Sequence, residues 1–517
     1  MAALSMLCET VTGGTTADLI AARDAATTGD MVELRADGVA DLDVGAALAG
    51  RRRPVVFTCR PTWEGGRFTG SEQERRAILD RALTLGAEFV DIEWRAGFDD
   101  LVRRDPSRVV LSSHDFDGVP RDIVDRARAM RSMGAGMIKV AVTPQHLRET
   151  LPLIEIGREG SAIVIGMGDA GVVTRLLPSR FGSQWTYAGQ AVAPGQIPST
   201  RMVDEFRFRR VGSDTRLFGV VSTNAMHSAS PAMHNAAFAA CGIDAVYVPL
   251  PTTELDDFLK FAAALGVEGA SITIPFKGDA LRAADDVDEV ARHIGAANTL
   301  RRRGDQWQAT NTDAAGFLDA LEAIYPVPLR VTRVSVLGAG GSARAVVAAL
   351  VSRGAVVTVH ARRRDQAEET AAAFGAVVGE WPPSRGSWEV LVNCTPLGGA
   401  THRNESPVPA AVLDRPFDVA QGTRLVYDLT YGPGQSALVR DARAAGCLTL
   451  DGLPMLVAQA ERQFEWWTGQ RPPAGVMRDA ADKRLGLTSA ENAAGLDVPA
   501  LRRSTGAHGV LSGVEGR

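Results

Sequence analysis

Of the 56 Lys and Arg side chains in this 517-residue chain, four are lysine: Lys139, Lys260, Lys277 and Lys483. An amine can shed its proton and attack a carbonyl, which a guanidinium does not do, so a lysine kept in an arginine-dominated chain is a candidate for chemistry. Lys139 lies in Met137-Ile138-Lys139-Val140-Ala141-Val142, where apolar neighbours partly desolvate the ammonium, lower its pKa and favour the free amine of Schiff-base chemistry. It also reads as a structural lysine paired with Glu33 or Glu93. His114, closing the preceding apolar run, suits the proton transfers that an iminium makes possible. In the second half, Ser228 and Ser230 read either as a helix N-cap or as two hydroxyls clamping a carboxylate, and Lys277 and Asp313 either as surface charges or as functional groups.

These groups need elements to hold them. Eight short β-type runs recur through the first half: Met6–Thr10, Met31–Arg35, Val55–Arg60, Phe89–Trp94, Val109–His114, Met137–Val142, Ala162–Met167 and Trp185–Ala188. Helix-like segments such as Glu72–Leu85 and Arg121–Met133 alternate with them, which predicts a (β/α)8 barrel of an α/β protein. Several runs end in polar groups, Glu33 and Arg35, Arg60, Asp91 and Glu93, His114, the ends that face the mouth in this fold. Pro198 and the arginines from Arg207 to Arg210 interrupt the pattern, and a new strand begins at Leu217. Farther on, Val334–Leu337 leads into Gly338-Ala339-Gly340-Gly341-Ser342-Ala343 and an apolar helix, a strand, turn and helix suited to a dinucleotide pyrophosphate. The next strand ends at His360 rather than at Asp or Glu, with Arg362, Arg363 and Arg364 after it. That pattern lacks an acceptor for a ribose 2′-hydroxyl and offers guanidinium groups to a 2′-phosphate.

The motifs Glu33-Leu34-Arg35, Arg60 with Glu64-Gly65-Gly66, Ser113-His114-Asp115-Phe116, Lys139 and Ala193-Pro194-Gly195-Gln196 resemble type I 3-dehydroquinate dehydratase over about residues 4–205. The resemblance implies that Lys139 forms an imine, that His114 is the general acid/base and that Glu64 assists. It also implies that Glu33, Arg35, Arg60, Arg175 and Gln196 hold hydroxyls and a carboxylate. Two positions depart from the family: Val192 and Thr174 stand where it has serine.

The second half resembles shikimate dehydrogenase across residues 216–480. The matching motifs are His227-Ser228-Ala229-Ser230-Pro231, Thr273-Ile274-Pro275-Phe276-Lys277, Ala297-Asn298-Thr299, Asn311-Thr312-Asp313, Asn393-Cys394-Thr395-Pro396-Leu397-Gly398 and Asp451-Gly452-Leu453-Pro454 through Gln459. The resemblance implies an acid/base pair in Lys277 and Asp313, with Ser228, Ser230, Thr273, Asn298, Asp313, Tyr431 and Gln459 around shikimate. It implies NADP(H) held by Gly338, Ala339, Gly340, Gly341, Ser342, Arg362, Arg363, Thr395, Leu429 and Gly452. Ser222, Asn224, Ser271 and Ala361 replace the family's Gly, Pro, Asn and Asn.

The expected organisation is a (β/α)8 barrel over 1–210, a substrate lobe over 211–325, a Rossmann lobe over 326–450, helices returning to the substrate lobe over 451–484, and a disordered tail over 485–517. As a whole it resembles the plant-type bifunctional enzymes, whose consecutive reactions turn 3-dehydroquinate into 3-dehydroshikimate and then into shikimate. A dehydrogenase half acting on quinate, or one half serving as a non-catalytic binding module, are the rival readings. A length of 517 residues exceeds one core, and a net charge of -5 offers no footprint for nucleic acid or anionic membrane, so small molecules are the expected partners. Five scattered cysteines without a CxxC pair predict no metal site and a reducing compartment. With no long apolar span and nothing basic before Arg23, the sequence reads as cytoplasmic.

Overall fold

The structure, a computed structural model, describes residues 5–189, 194–325, 327–399, 402–413 and 424–487. Val192 and the tail beyond Leu487 lie outside the described residues. The first eight strands are β1 (Met6–Thr12), β2 (Met31–Arg35), β3 (Val55–Thr58), β4 (Phe89–Glu93), β5 (Val109–Asp115), β6 (Met137–Val142), β7 (Ala162–Gly166) and β8 (Trp185–Ala188). All eight expected runs are strands. They form one parallel sheet in the order β7-β6-β5-β4-β3-β2-β1-β8. The Gln184 N–H donates to Ala162 O at 2.9 Å across the β7 and β8 seam.

Strand alternation divides the side chains. Cys8, Met31, Val56, Val110, Ile163 and Trp185 pack with one another as the barrel filling. Their neighbours, Leu7, Val32, Val55, Phe57, Leu111 and Val164, pack in the outer core. Outer helices such as Glu72–Thr84 start on firm caps: the Ser71 hydroxyl accepts from the Glu74 N–H while the Glu74 carboxylate accepts from the Ser71 N–H.

The next sheet contains β9 (Arg216–Ser222), β10 (Ala245–Pro251), β11 (Val267–Ile272), β12 (Asp286–Val287), β13 (Thr299–Arg303) and β14 (Gln306–Thr310), in the order β10-β9-β11-β13-β14-β12. Strands β9, β10 and β11 run parallel, while β13 is antiparallel to both β11 and β14. The last sheet is wholly parallel: β15 (Arg333–Leu337), β16 (Val356–His360), β17 (Val377–Val378), β18 (Val390–Asn393), β19 (Leu425–Asp428) and β20 (Leu448–Leu450), ordered β17-β16-β15-β18-β19-β20. That is the 3-2-1-4-5-6 order of a dinucleotide-binding sheet, with its switch point between β15 and β18.

The chain packs as two compact units. Of the described residues, one takes in those up to Phe317 with Arg344–Ala348 and Met455–Leu485, and the other those of Leu318–Ala343 and Ala349–Pro454. Within the first unit a single hydrophobic core runs from Leu7 in β1 to Ala309 in β14, so barrel and substrate lobe share their interior. The helix Gly168–Leu176 records this: every residue from Ala170 to Leu176 is buried, because β10 packs on a helix that the outer ring of a free barrel exposes on one face. Two polar clamps flank the junction. The fully buried Asp257 carboxylate accepts from the Leu147 and Arg148 N–H groups at 2.9 and 2.8 Å, and Arg180 donates to the carbonyls of Leu265 and Thr215.

Asp257→Ala leaves two buried donors unpaired, at a cost of about 2–4 kcal/mol. It is expected to lower the unfolding midpoint of the barrel, followed through Trp185 fluorescence with the other tryptophans replaced, although the altered residue lies in the neighbouring lobe. A barrel transition unchanged in urea titration refutes the shared core.

Candidate active sites

At the C-terminal mouth of the barrel, a cavity of about 120 Å³ is lined by Glu33, Arg35, Arg60, Glu64, His114, Lys139, Arg175 and Gln196, with Tyr187, Phe116 and Met167 among the others. All eight barrel residues expected at a site therefore converge on one space. Seven come from a strand or the loop after it, the general location of barrel sites, and Arg175 comes from the helix Gly168–Leu176 that follows β7.

Lys139 is buried on β6. Its Nζ lies 3.1 Å from Asp91 Oδ2 and 3.7 Å from Glu33 Oε1, and 4.3 Å from the centre of the Tyr187 ring. Glu93, one of the partners weighed for it, is occupied elsewhere: its carboxylate accepts from Arg60 Nη1 at 2.8 Å and from the buried Arg75. Arg60 also reaches Asp91 Oδ2 at 2.8 Å and Ser112 Oγ at 2.7 Å. Burial raises the pKa of Asp91, but Arg60 and Lys139 outweigh it and hold this carboxyl well below the usual range. Glu33 is fixed by Thr10 Oγ1 at 2.9 Å and Thr58 Oγ1 at 3.0 Å, and Gln196 Nε2 in turn donates to Thr10 Oγ1 at 3.3 Å.

Across the cavity, Glu64 Oε1 accepts from the His114 N–H at 2.8 Å and stands 3.2 Å from His114 Nδ1. Burial and the nearby cations Arg60 and Lys139 push the His114 imidazole well below its ordinary pKa, leaving it neutral. Burial raises Glu64 to about 7. Arg35 is paired with Asp37 at 2.9 Å.

Arg175 differs from the other cations. Its guanidinium is buried, reaches only the carbonyls of Tyr187 and Pro194 at 3.3 and 3.4 Å, and leaves Nε without a hydrogen bond among the described residues. Burial lowers its pKa to about 10 against the opposing charge of Glu33, and it makes no ion pair among the described residues. Thr174, the neighbouring departure, turns away: its hydroxyl donates to Gly171 O at 2.8 Å and accepts from the Gly166 N–H at 2.7 Å, tying the Arg175 helix to β7.

In the substrate lobe, Lys277 Nζ and Asp313 Oδ2 form a buried pair at 2.5 Å. Asn298 Nδ2 donates to Asp313 Oδ1 at 2.8 Å and to Gln459 Oε1 at 3.2 Å, so these four residues form one cluster. Thr273 opens the turn before Lys277, its carbonyl accepting from the Phe276 N–H at 2.9 Å. The N-cap of the helix Ser230–Ala240 is Ala229, and Ser228 Oγ accepts from the Ser230 N–H at 3.1 Å. Ser222 Oγ donates to Ile274 O at 3.1 Å, so this departure links two loops of the same lobe. Tyr431 belongs to the second unit, beside Arg403 and Thr430.

The residues expected at a cofactor lie at the C-terminal ends of the last sheet. Gly338, with φ +107°, turns the chain out of β15, and a side chain on Gly340 would meet nothing within 4 Å, which leaves the start of the helix Gly341–Ser352 open to a phosphate. Ala339 lies in the same turn and Ser342 in the first turn of that helix. Thr395 Oγ1 donates to Asn393 Oδ1 at 2.7 Å, just past β18. Leu429 follows β19, and Gly452 packs so closely that any side chain would strike the Leu429 carbonyl. His360 is buried with both ring nitrogens engaged, by Glu380 O at 2.7 Å and Ser335 Oγ at 3.1 Å. Arg364 is paired with Glu368 and Glu380, whereas Arg362 and Arg363 are exposed with no ion pair among the described residues. The donor set fits a dinucleotide that carries an extra phosphate.

The sequence names Asp91 only as a polar strand end and Glu93 as that and a possible partner of Lys139, and does not reach Tyr187, Ser112 or Arg75. The alternation along β4 and β8 is the one signal that points Asp91 and Tyr187 inward. Among the described residues no His, Cys, Asp and Glu group could hold a metal ion, and no helix is long and apolar enough to cross a membrane.

Fold and sites together define a two-activity enzyme, a lysine-centred lyase barrel fused to a dehydrogenase. Family models agree: Type I 3-dehydroquinase matches residues 7–213, the shikimate dehydrogenase substrate binding domain 220–300, and the shikimate 5'-dehydrogenase C-terminal domain 452–481. The chain is 32% identical to the chloroplastic bifunctional 3-dehydroquinate dehydratase/shikimate dehydrogenase of Arabidopsis thaliana over 86% of this chain and 78% of that protein. It is 42% identical to the shikimate dehydrogenase (NADP(+)) of Methanocella arvoryzae over 52% of this chain and 99% of that one. A Thermus thermophilus shikimate 5-dehydrogenase solved with NADP(H) and shikimate is 34% identical over 52% of this chain and all of its own, with a TM-score of 0.47. The chain belongs to the bifunctional 3-dehydroquinate dehydratase/shikimate dehydrogenase family.

The raised pKa of Glu64 carries a sign. The folded state holds this proton more tightly than the unfolded chain, whose ordinary value is 4.5, so its contribution to stability falls as pH rises from 4.5 to about 7. His114, lowered by burial, acts in the opposite direction below 6.5, which the comparison must cancel. Wild type should therefore lose stability relative to Glu64→Gln across pH 4.5 to 7 in urea titrations. A constant difference refutes the raised value.

Proposed function

We propose that the barrel cavity is the dehydratase centre and the Lys277–Asp313 cluster the dehydrogenase centre, each working with its own residues. The observation that carries this reading is the convergence of seven expected polar side chains around the buried Lys139, with Arg175 outside any ion pair among the described residues where a substrate carboxylate would neutralise it. The Lys139 amine attacks the ketone of 3-dehydroquinate and releases water as the imine forms. Neutral His114 accepts the proton from the carbon beside the iminium and returns one to the departing hydroxyl, while Glu64 holds its ring. Hydrolysis of the imine consumes the first water, so the net change is loss of one water to 3-dehydroshikimate. Glu33, Arg35, Arg60 and Gln196 orient the ring hydroxyls.

In the substrate lobe, Ser228, Ser230, Thr273, Asn298 and Gln459 bind 3-dehydroshikimate, and the Lys277–Asp313 pair protonates its ketone oxygen as shikimate forms. NADPH, when bound, supplies the hydride. Gly338, Ala339, Gly340, Gly341 and Ser342 cradle its pyrophosphate, Arg362 and Arg363 its 2′-phosphate, and Thr395, Leu429 and Gly452 the remainder. Support for NADP over NAD comes from the two unpaired arginines and from the buried His360 where a ribose-binding carboxylate is absent. The five free thiols fit a reducing, cytoplasmic setting, and the net charge of -5 fits small-molecule partners rather than nucleic acid.

Borohydride added with 3-dehydroquinate should fix ligand mass on the Lys139 peptide. Lys139→Ala should abolish dehydration and spare shikimate oxidation, and Lys277→Ala should do the reverse. An unlabelled peptide, or loss of both activities in either folded variant, contradicts the assignment.

For the cofactor, the NADP+/NAD+ ratio of kcat/KM should fall roughly ten- to a hundredfold in the Arg362→Ala, Arg363→Ala double variant, the loss of a charge-assisted contact. An unchanged ratio removes both arginines from cofactor choice.

A further inference from the structure

Behind the Lys277–Asp313 pair lies a layer of uncharged polar side chains that neither the substrate nor the cofactor reading uses. Gln463, in the helix Leu453–Thr468, is 1% exposed, and its carboxamide bridges two strands. Its Oε1 accepts from Ser271 Oγ on β11 at 2.7 Å, and its Nε2 donates to Thr299 Oγ1 on β13 at 2.9 Å and to Asn298 O at 3.2 Å. Ser271 in turn accepts from the fully buried Tyr247 Oη at 2.6 Å. Ser271 and Thr299 are directly opposite in the antiparallel ladder, so the amide enters at a register point between them.

Hydrogen-bond valence gives this chain a direction. A hydroxyl has one proton to donate. Because Ser271 gives its proton to Gln463 Oε1, the carboxamide must present its oxygen there and its NH2 to Thr299. Thr299 Oγ1 then accepts, and its own proton goes to Asn298 Oδ1 at 2.7 Å, which also accepts from the Thr312 N–H at 2.9 Å. With its oxygen side filled by two donors, Asn298 turns its NH2 to Asp313 Oδ1 at 2.8 Å. The other oxygen of Asp313 is the one that meets Lys277.

We infer that Gln463 is a positioning residue for the dehydrogenase: through Thr299 it fixes the rotation of the Asn298 amide, which in turn sets the orientation of the Asp313 carboxylate toward Lys277. Ser271 stands where the family resemblance places an asparagine, so in this chain the carboxamide of the layer comes from the C-terminal helix. The inference rests on the reading of Lys277 and Asp313 as the acid/base pair.

The test uses the full chain and shikimate oxidation, with dehydratase activity as an internal measure of folding. Gln463→Glu replaces the NH2 by an acceptor, which draws the Thr299 proton away from Asn298, and Thr299→Val deletes the hydroxyl while keeping the shape. Each is expected to lower kcat/KM for shikimate roughly ten- to a hundredfold, the scale of losing alignment to a charged group. Thr299→Ser, which restores the hydroxyl, should return to within about threefold of wild type, with dehydration unchanged throughout. Wild-type oxidation in Gln463→Glu or Thr299→Val overturns the proposal, as does equal loss in Thr299→Ser and Thr299→Val. Asp313→Asn, measured in parallel, separates the two levels. If it oxidises shikimate like wild type, the acid/base reading falls and the positioning role with it; if it is inactive while the Gln463 and Thr299 variants are normal, only the positioning role falls.

Discussion

A lysine ammonium taken out of water into a barrel filled with valine, isoleucine and methionine loses several kcal/mol of hydration unless carboxylates stand beside it, and those carboxylates then need partners of their own. The barrel site follows from that requirement. Lys139 is met by Asp91 and Glu33; Asp91 by Arg60 and Ser112; Arg60 by Glu93; and Glu93 by Arg75. The sequence of alternating charge ends at Glu72, which is largely exposed and pairs with Arg75 from the outer helix. The cation on β6 thus dictates residues on β2, β4 and β5, in the loop after β3 and in the helix that follows it. A hydrophobic residue at Arg75, which is fully buried, would strand Glu93 and, one step inward, release Arg60.

Arg175 is the counterexample inside the same cavity. Among the described residues it has no ion pair and one nitrogen without a partner, and burial lowers its pKa to about 10, so the cavity keeps a desolvated cation suited to an anion. The fold can hold such a group because its surroundings are rigid. Its helix is buried on all sides from Ala170 onward, tied to β7 through Thr174 and packed beneath β10 of the neighbouring lobe. Fusion to the dehydrogenase lobe therefore does more than join two catalysts, since the helix carrying this arginine is part of the core that both share.

What could be read in the sequence follows from where each interaction is encoded. Buried parallel strands appear as apolar runs with polar ends, so all eight barrel strands and the turn after β15 are visible in the chain. Single polar residues at strand ends are equally visible, and Glu33, Arg60, His114 and Lys139 meet in one cavity as expected. The partnership of those groups is not encoded locally. That Glu93 pairs with Arg75 rather than Lys139 depends on which of two inward-facing layers each occupies. The role of Gln463 is still less accessible, because 192 residues separate it from Ser271 and a glutamine within an apolar helix carries no periodic signal. The basic run after β16 shows the same limit: three adjacent arginines are equivalent in the chain, yet Glu368 and Glu380 occupy Arg364 alone.

The two buried lysines are held in ways that suit the different protons they are proposed to handle. To form an imine, Lys139 must lose a proton and then carry a positive charge again as the iminium. Two carboxylates at 3.1 and 3.7 Å and the face of Tyr187 at 4.3 Å give that charge several attractions and no single short bond that would hold the nitrogen away from carbon. Lys277 makes no covalent bond in its proposed role, so a 2.5 Å contact with Asp313 is no hindrance. There a short, aligned pair is an advantage, because the carboxylate that accepts one ammonium N–H fixes the direction of the others, including the one offered to a ketone oxygen. Asn298 provides that fixity by occupying the other Asp313 oxygen. An arginine could replace neither lysine: at the first site it has no nucleophilic amine to offer, and at the second it would not release its proton.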